Sequence, residues 1–470
     1  MTTLELTRPK PSSVQPTATA KPGSAPALRL AELMAALSHA LDMTEGQPEG
    51  HCVRCCFIGM RVADVLGLDR AERRTIYYTL LLKDLGCSSN AARICELYLT
   101  DDLAFKQRFK TVGPDLPSTL GFVFRETGRL AGWGDKFRAI SQVLRHGGDM
   151  AQELIVTRCS RGADIARQLR FDDAVAQGVY ALDEHWDGSG RPGHLQGEAI
   201  PLAARMALLA QVVDVFHTGG GEKAALDEVR RRRGRWFDPA LCDAFERASA
   251  DPSLWALLAA PVDQLEAHVL ALDTAREERP LDEDFLDDIA HAFGSIVDAK
   301  SPYTAGHSAR VGRIAEGIAT RLGMSAGERR SLRRGALLHD VGKLGVSNAI
   351  LDKPGKLDAN EWAAVRRHAE YTAAILGRIG PMQAMARMAA AHHERLDGAG
   401  YPHGLKGEEI ALPTRIITTA DVFDAINAER PYRGATPVDR TLQIMQEQVG
   451  TALDANCMQA LREMLRDEAV

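Results

Sequence analysis

Two stretches, GHCVRCCFIGMRVADVLGLDRAERR from Gly50 to Arg74 and GHSARVGRIAEGIATRLGMSAGERR from Gly306 to Arg330, read as one unit written twice. Self-similarity of this kind marks a duplicated structural unit. From Leu28 onward Leu, Ala, Val and Ile recur at three- and four-residue spacings, and β-branched alternation is scarce. That is the period of helices with one apolar face, so the expected fold is all-α, as two tandem helical bundles. One offset of 256 residues relates His51 to His307 and Asp84 to Asp340 (307−51, 340−84), whereas Asp187 and Asp397 are 210 apart (397−187). The first copy therefore carries about 46 additional residues (256−210) between Asp84 and Asp187, and the Gly- and Pro-broken segment 90–150 is the natural place for them.

The division that follows is a disordered tail at 1–26, a first helical domain at 27–270, a linker at 271–283 and a second domain at 284–470. The tail is rich in Pro, Thr, Ser and Ala without apolar periodicity, and such a segment cannot repay the entropy of ordering. The linker falls in the charged stretch LDTAREERPLDEDFLDD, with a helix expected from about Asp284. In the second domain Ser301-Pro302 reads as an N-cap followed by Pro at the first helical position, with Gly323 closing that helix. Ser325 to Glu328 and Asp358 to Glu361 read as capping boxes.

Composition excludes several function classes. A net charge of −6 over 470 residues provides no general field for polyanions. The run Arg230 to Arg233 reads as a solvated helix face, so nucleic acid is not an expected partner. No apolar run reaches the roughly 18 to 20 residues that cross a bilayer, and no compact hydrophobic leader opens the chain. The expectation is a cytoplasmic protein without a membrane. Eight cysteines without a paired framework fit reduced thiols. Cys52, Cys55 and Cys56 share the spacing of an apolar helix face and lack the second cysteine pair of a zinc site.

The second copy concentrates metal-ligand chemistry. His307, His339-Asp340, His368, His392-His393 and Asp421 are imidazoles and carboxylates, suited to divalent ions. Each falls on or beside an expected helix. Neighbouring helical side chains diverge by about 100°, so an adjacent pair is poorly placed to share one apolar core but can straddle a centre occupied by ions. Two such pairs argue for two ions.

The segments HDVGKLGVSNAILDKPGKL, HHERLDGAGYPHGLKGEEI and ADVFDAINAERPYR resemble, in order and spacing, the signatures of HD-GYP phosphodiesterases, over about 190 residues. The resemblance implies two HD-type bundles, the first degenerate. It further implies that His307, His339 and Asp421 hold one metal, that His368, His392 and His393 hold the other, and that Asp340 bridges them. With four protein ligands each, iron or manganese would keep two positions for water and phosphate oxygen. Two ions about 3.5 to 4 Å apart activate water and neutralise charge on a phosphodiester. Family members that bind a third metal carry Glu where this chain has Tyr303, which points to two metals and leaves the linear dinucleotide and the mononucleotide both open as products. The activity implied is hydrolysis of a cyclic dinucleotide, with cyclic di-GMP the leading expectation. A mixed GMP-AMP cycle and a non-catalytic signalling adaptor are the alternatives.

Around these ligands, Asp340 and Lys343 are the expected catalytic pair. Lys343, three residues after Asp340, would share its helix face and reach a metal-bound phosphate. In DGAGYP the glycines and Pro402 shape a tight loop that presents Tyr401 to substrate. Arg430 and Arg433 follow Asp421 by 9 and 12 residues as phosphate clamps. Glu394, Asp397 and Glu408 read as ligand-orienting or loop-capping acids. By the offsets, Lys83 replaces His339 in the first copy, Arg158 replaces His368, Leu182-Asp183 replaces the His pair, Gln211 replaces Asp421 and GSGRP replaces GAGYP. Fixed positive charge where cations would sit prevents a two-metal centre. The first copy is then either a packing partner standing in for half of a homodimer, or a sensor whose Lys83, Arg158 and Arg191 bind an anion. A homo-oligomer or a signalling protein partner is also an expectation.

Overall fold

The structure, a computed structural model, describes residues 28–113, 116–273, 281–428 and 434–468. Among these it contains helices and turns with three isolated β-bridges and no strand, as the periodicity predicts. The tail 1–26, most of the linker, Arg430 and Arg433 lie outside the described residues. No helix among the described residues is long and apolar enough to cross a membrane.

The first copy is built on α1 (Leu30–Thr44), α2 (His51–Leu66), α3 (Arg70–Leu82), α4 (Asp102–Phe109), α5 (Trp133–Gln168) and α6 (Leu202–Arg232). The second repeats the plan with α7 (Glu283–Asp298), α8 (His307–Arg321), α9 (Ala326–Leu338), α10 (Ala359–Gly377), α11 (Gln383–Ala390) and α12 (Leu412–Asn427). The additional residues fold as the helix Ala91–Tyr98, α4, the helix Leu116–Glu126 and the front of α5. They enclose a small core of their own around Tyr98, Phe105, Phe122 and Met150.

The capping boxes at Ser325/Glu328 and Asp358/Glu361 open α9 and α10, and Asp69/Glu72 opens α3 in the same way. The expected start at Ser301-Pro302 is wrong. Residues 301–306 form turns in which the Thr304 hydroxyl donates to the Asp298 carbonyl, and α8 begins only at His307. Gly306 sets that boundary with a left-handed φ of 70°, as Gly50 does at 84° before α2; a side chain there would be strained. The helix ends at Arg321, with Gly323 just beyond it in the left-handed region.

The two copies share a core, although the second also keeps a cluster of its own around Ile314, Ile416 and Leu461. α1 packs on α2 and α3, but also on α10 and on the 3-10 turn Val341–Gly345 of the second copy. Its counterpart α7 packs on α8 and α9 and reaches back to α5 and the turn Cys87–Asn90. One continuous apolar cluster therefore runs from Leu33, Leu37 and Cys56 to Phe293, Leu338 and Ile375. The cysteines of α2 are buried in it as free thiols. Arg230, Arg231, Arg232 and Arg233 each pair with an acid, and Arg232 is buried against the Trp236 ring. The other three are solvent-exposed, each beside its acid, so the run is a solvated face with paired charges, as expected.

Leu33 sits in a narrow crevice with Leu286, Leu338 and Leu376, between the copies. Leu33→Ala should cost about 2 to 5 kcal/mol. Urea unfolding followed by circular dichroism should show the wild-type chain melting in one transition, and the variant melting earlier with the same slope.

Candidate metal centre and substrate cavity

All seven candidate ligands of the second copy converge on one buried point, and helix ends make this possible. α9 stops at Leu338, so His339 and Asp340 sit on the bend into the turn Val341–Gly345. α11 stops at Ala390, so His392 and His393 lie in the turn that follows. The adjacent pairs thus converge through chain reversals rather than through divergence along a helix. Gly342 brings α10 close: a Cβ there would lie 2.0 Å from the His368 carbonyl oxygen.

Asp340 stands at the middle. Its Oδ2 lies 3.6 Å from His307 Nε2 and 3.3 Å from His339 Nε2, and its Oδ1 lies 3.6 Å from both His368 Nε2 and His392 Nε2. Asp421 Oδ1 joins the first group at 3.3 Å from His307 Nε2, and the His393 ring joins the second at 3.9 Å from the His392 ring. The donors form two sets, His307–His339–Asp421 and Asp340–His368–His392–His393. Backbone carbonyls fix the ring tautomers. Nδ1 of His339, His368 and His392 donates to Ala336, Val365 and Ala389 at 2.6, 2.5 and 2.6 Å, which leaves the lone pair on Nε2. Those three Nε2 atoms and Asp340 Oδ1 are buried without a hydrogen-bond partner. Buried polar atoms are rarely left so, and four that converge on one point fit divalent cations.

The protonation pattern separates the two sets. Burial holds His368 down at about 4 and His393 at about 3, and it keeps His392 well below the usual range; all three are neutral donors. Burial opposes charge on His307 and His339 as well, but the carboxylates of Asp340 and Asp421 outweigh it, raising His307 well above its ordinary value and His339 to about 9. Asp340 and Asp421 stay ionised because the histidines, and Lys343 beside Asp340, outweigh burial.

One participant was missed in the sequence. Asp424, one turn after Asp421, accepts from His307 Nδ1 at 2.7 Å and from Arg310 Nε at 2.6 Å. The first copy keeps the same trio: Asp214 accepts from His51 Nδ1 at 2.6 Å and Arg54 Nε at 2.5 Å. The signal was His-x-x-Arg in both repeats with an Asp retained at the 210-residue offset.

The other candidates fall variously. Lys343 lies on the 3-10 turn rather than on a helix face with Asp340, yet its Nζ donates to Asp340 Oδ2 at 2.5 Å. Tyr401 is half-buried with its ring 4.8 Å from that of His393 and the Arg366 guanidinium 5.3 Å away. Buried Glu394 accepts from the amides of His403, Gly404 and Leu405, so it shapes the loop after Tyr401. Asp397 closes a turn with Arg395 and the Ala399 amide, and Glu408 is exposed. α12 ends at Asn427, short of Arg430. Tyr303 precedes α8, so it does not occupy a helix position one turn before His307. It lines, with Lys300, Asp340, Lys343 and Trp362, a cavity of about 430 Å³ that opens on His307.

In the first copy Lys83 Nζ, fully buried, pairs with Asp84, and Arg158 pairs with Asp183. Lys110 pairs with Glu45 at 2.9 Å. Two triads of possible ligands remain, His51–Cys55–Asp214 and Glu45–Asp84–Cys87. Arg54 binds Asp214 in the first and the lysines bind the acids of the second. Of the three cations expected to bind an anion, Lys83 and Arg158 already hold carboxylates, whereas the buried Nε of Arg191 has no hydrogen-bond partner.

A bundle that gathers His339-Asp340 with outlying histidines and a late aspartate belongs to the HD domain family, whose profile matches residues 139–241 and 292–457. Among known proteins the chain is similar to the 3'3'-cGAMP-specific phosphodiesterase 3 of Vibrio cholerae serotype O1, with 56% identity covering 93% of this chain and 94% of that one. It is similar over 42% of its length, at 37% identity, to the cyclic di-GMP phosphodiesterase response regulator RpfG of Xanthomonas campestris pv. campestris, covering 51% of that protein. A crystal structure described as a cyclic GMP-AMP specific phosphodiesterase of V. cholerae, V-cGAP3, matches 94% of this chain and 99% of that chain at 49% identity with a TM-score of 0.65.

Asp424→Ala should leave His307 unoriented and lower metal affinity about 10- to 100-fold in chelator competition. The raised pKa of His339, about 9, means that metal must displace protons at neutral pH. Loading should release about one proton or more, seen by calorimetry in buffers of different ionisation enthalpy, and should strengthen as pH rises toward 9.

Proposed function

We propose that the second copy is a two-metal phosphodiesterase that hydrolyses 3'3'-cGAMP. The observation that carries the hydrolase reading is Asp340, whose two oxygens face two different sets of unpartnered imidazole nitrogens. His307, His339 and Asp421 would hold one ion and His368, His392 and His393 the other, with Asp340 between the two sets. When bound, divalent ions, iron or manganese, would supply water activation and charge neutralisation at the phosphate. Lys343 leaves Asp340 to take a non-bridging phosphate oxygen, so its ammonium serves the carboxylate before substrate binds and the phosphate afterwards. Tyr401, held against His393, stacks on substrate; Arg430 and Arg433 take the remaining phosphate. The first copy, whose Lys83, Lys110 and Arg158 are internally paired, is a packing partner.

Preference for the mixed cycle over cyclic di-GMP, the leading expectation from the motifs, is supported by a relative named as 3'3'-cGAMP-specific that matches along nearly the whole chain. The relatives named as cyclic di-GMP phosphodiesterases match less than half of it. One base separates these substrates, adenine in place of guanine, which differs in its groups at positions 2 and 6, and a site that hydrogen-bonds those groups can discriminate strongly.

Purified protein loaded separately with Fe(II) and Mn(II) should cleave 3'3'-cGAMP with a higher kcat/KM than cyclic di-GMP. Binding of either dinucleotide without cleavage under every metal would favour an adaptor instead. Asp340→Asn should lose both bound metal, by elemental analysis, and turnover, by at least about 1,000-fold, as expected when a charge-stabilising centre is removed.

A further inference from the structure

Asp102 belongs to the insertion of the first copy and has no counterpart in the second, yet its carboxylate is wholly buried in the second copy's structure. Its Oδ1 accepts from Ser347 Oγ and from the Asn348 amide, both at 2.8 Å, and its Oδ2 lies 3.5 Å from the Lys300 ammonium. These partners lead directly to the cavity beside the metal centre. Asn348 Nδ2 donates to the Lys300 carbonyl at 2.6 Å and to Asp352 Oδ2 at 2.7 Å, and Ser301 Oγ donates to Asp352 Oδ1 at 2.6 Å. Lys300, Ser301 and Asp352 line the cavity together with His307, Asp340 and Lys343.

We propose that Asp102 is a positioning residue for substrate: through Ser347, Asn348 and Lys300 it ties the turn 298–304 to the loop 347–356, the two walls of the cavity. The inference rests on the phosphodiesterase reading and adds a role for the insertion. Its other end is anchored as firmly. Lys106, one turn further along α4, donates to the carbonyls of Thr44 and Cys87 at 3.0 and 2.9 Å. α4 is thus fixed to the first copy by a lysine and to the cavity by an aspartate on the same helix face. A buried carboxylate that accepts an amide, a hydroxyl and an ammonium holds its partners in one arrangement, because releasing any of them leaves charge unpaired. Both walls are then set before substrate arrives, and the energy of ordering them is not taken from binding.

The test uses the full-length, metal-loaded protein with 3'3'-cGAMP. Asp102→Asn keeps the shape of the side chain but removes its charge, and Ser347→Ala removes one donor. For Asp102→Asn we expect KM to rise about tenfold with kcat within about threefold of wild type, and bound metal per chain unchanged. Ser347→Ala should move KM in the same direction by less, and the double variant should be no worse than Asp102→Asn alone, since both act on one contact. An unchanged KM in folded Asp102→Asn overturns the proposal, as does a joint fall of kcat and metal content, which would mark a merely structural residue. If Asp102→Asn does not fold, Ser347→Ala decides by the same KM criterion. A wild-type protein that neither binds nor cleaves the dinucleotide removes the function itself and this role with it; normal wild-type turnover with unmoved KM in the variants removes only the role of Asp102.

Discussion

A carboxylate stripped of water must be compensated where it stands, and Asp340 is such a group: about 1% exposed, at the bend between α9 and a 3-10 turn, with imidazole nitrogens on both sides. Burying it without compensation would cost several kcal/mol. Most of the second copy's local structure serves that position. Gly342 lets the backbone of α10 approach so that His368 reaches the carboxylate, carbonyls at 336, 365 and 389 turn three rings toward it, and Asp424 steers a fourth. Lys343, on the cavity side, also pairs with the carboxylate.

The first copy meets the same demand differently. Asp84 is equally buried, and Gly86 makes the same approach, a Cβ there falling 1.9 Å from the Arg158 carbonyl oxygen. Here the compensating charge is an ammonium on the adjacent residue, Lys83. A tethered cation needs no ligand cage, so arginine, leucine, aspartate and glutamine can stand where the second copy has His368, His392, His393 and Asp421, while the packing stays. This explains why the trio His51–Arg54–Asp214 persists in a site that, apart from Asp84, has lost its other ligands: it fixes the start of α2 to α6 and is part of the scaffold.

The fold class, the duplication, the size and place of the insertion and the convergence of seven side chains were legible because each rests on periodicity or on side-chain chemistry. What was not legible lies where backbone geometry decides. Pro302 suggested a helix start, but Gly306, left-handed, places it five residues later at His307, and with that shift the comparison of Tyr303 with a helical neighbour of His307 fails. The basic pocket of the first copy looked open because the partners of Lys83 and Arg158 are not evident from sequence offsets. Asp102 could not be found at all. It sits in the one segment without a repeat, and its partners are some 200 residues or more away along the chain, at Lys300, Ser347 and Asn348.

Because α1 and α7 each cross to pack on the opposite copy, neither half can shed its partner without exposing a face of the shared core. A symmetric pair of identical subunits would have to carry any change twice. Joined in one polypeptide, the halves are released from that equality: one can give up chemistry and grow an arm while the other keeps its donors, and synthesis guarantees that arm and reaction centre are always made in equal number.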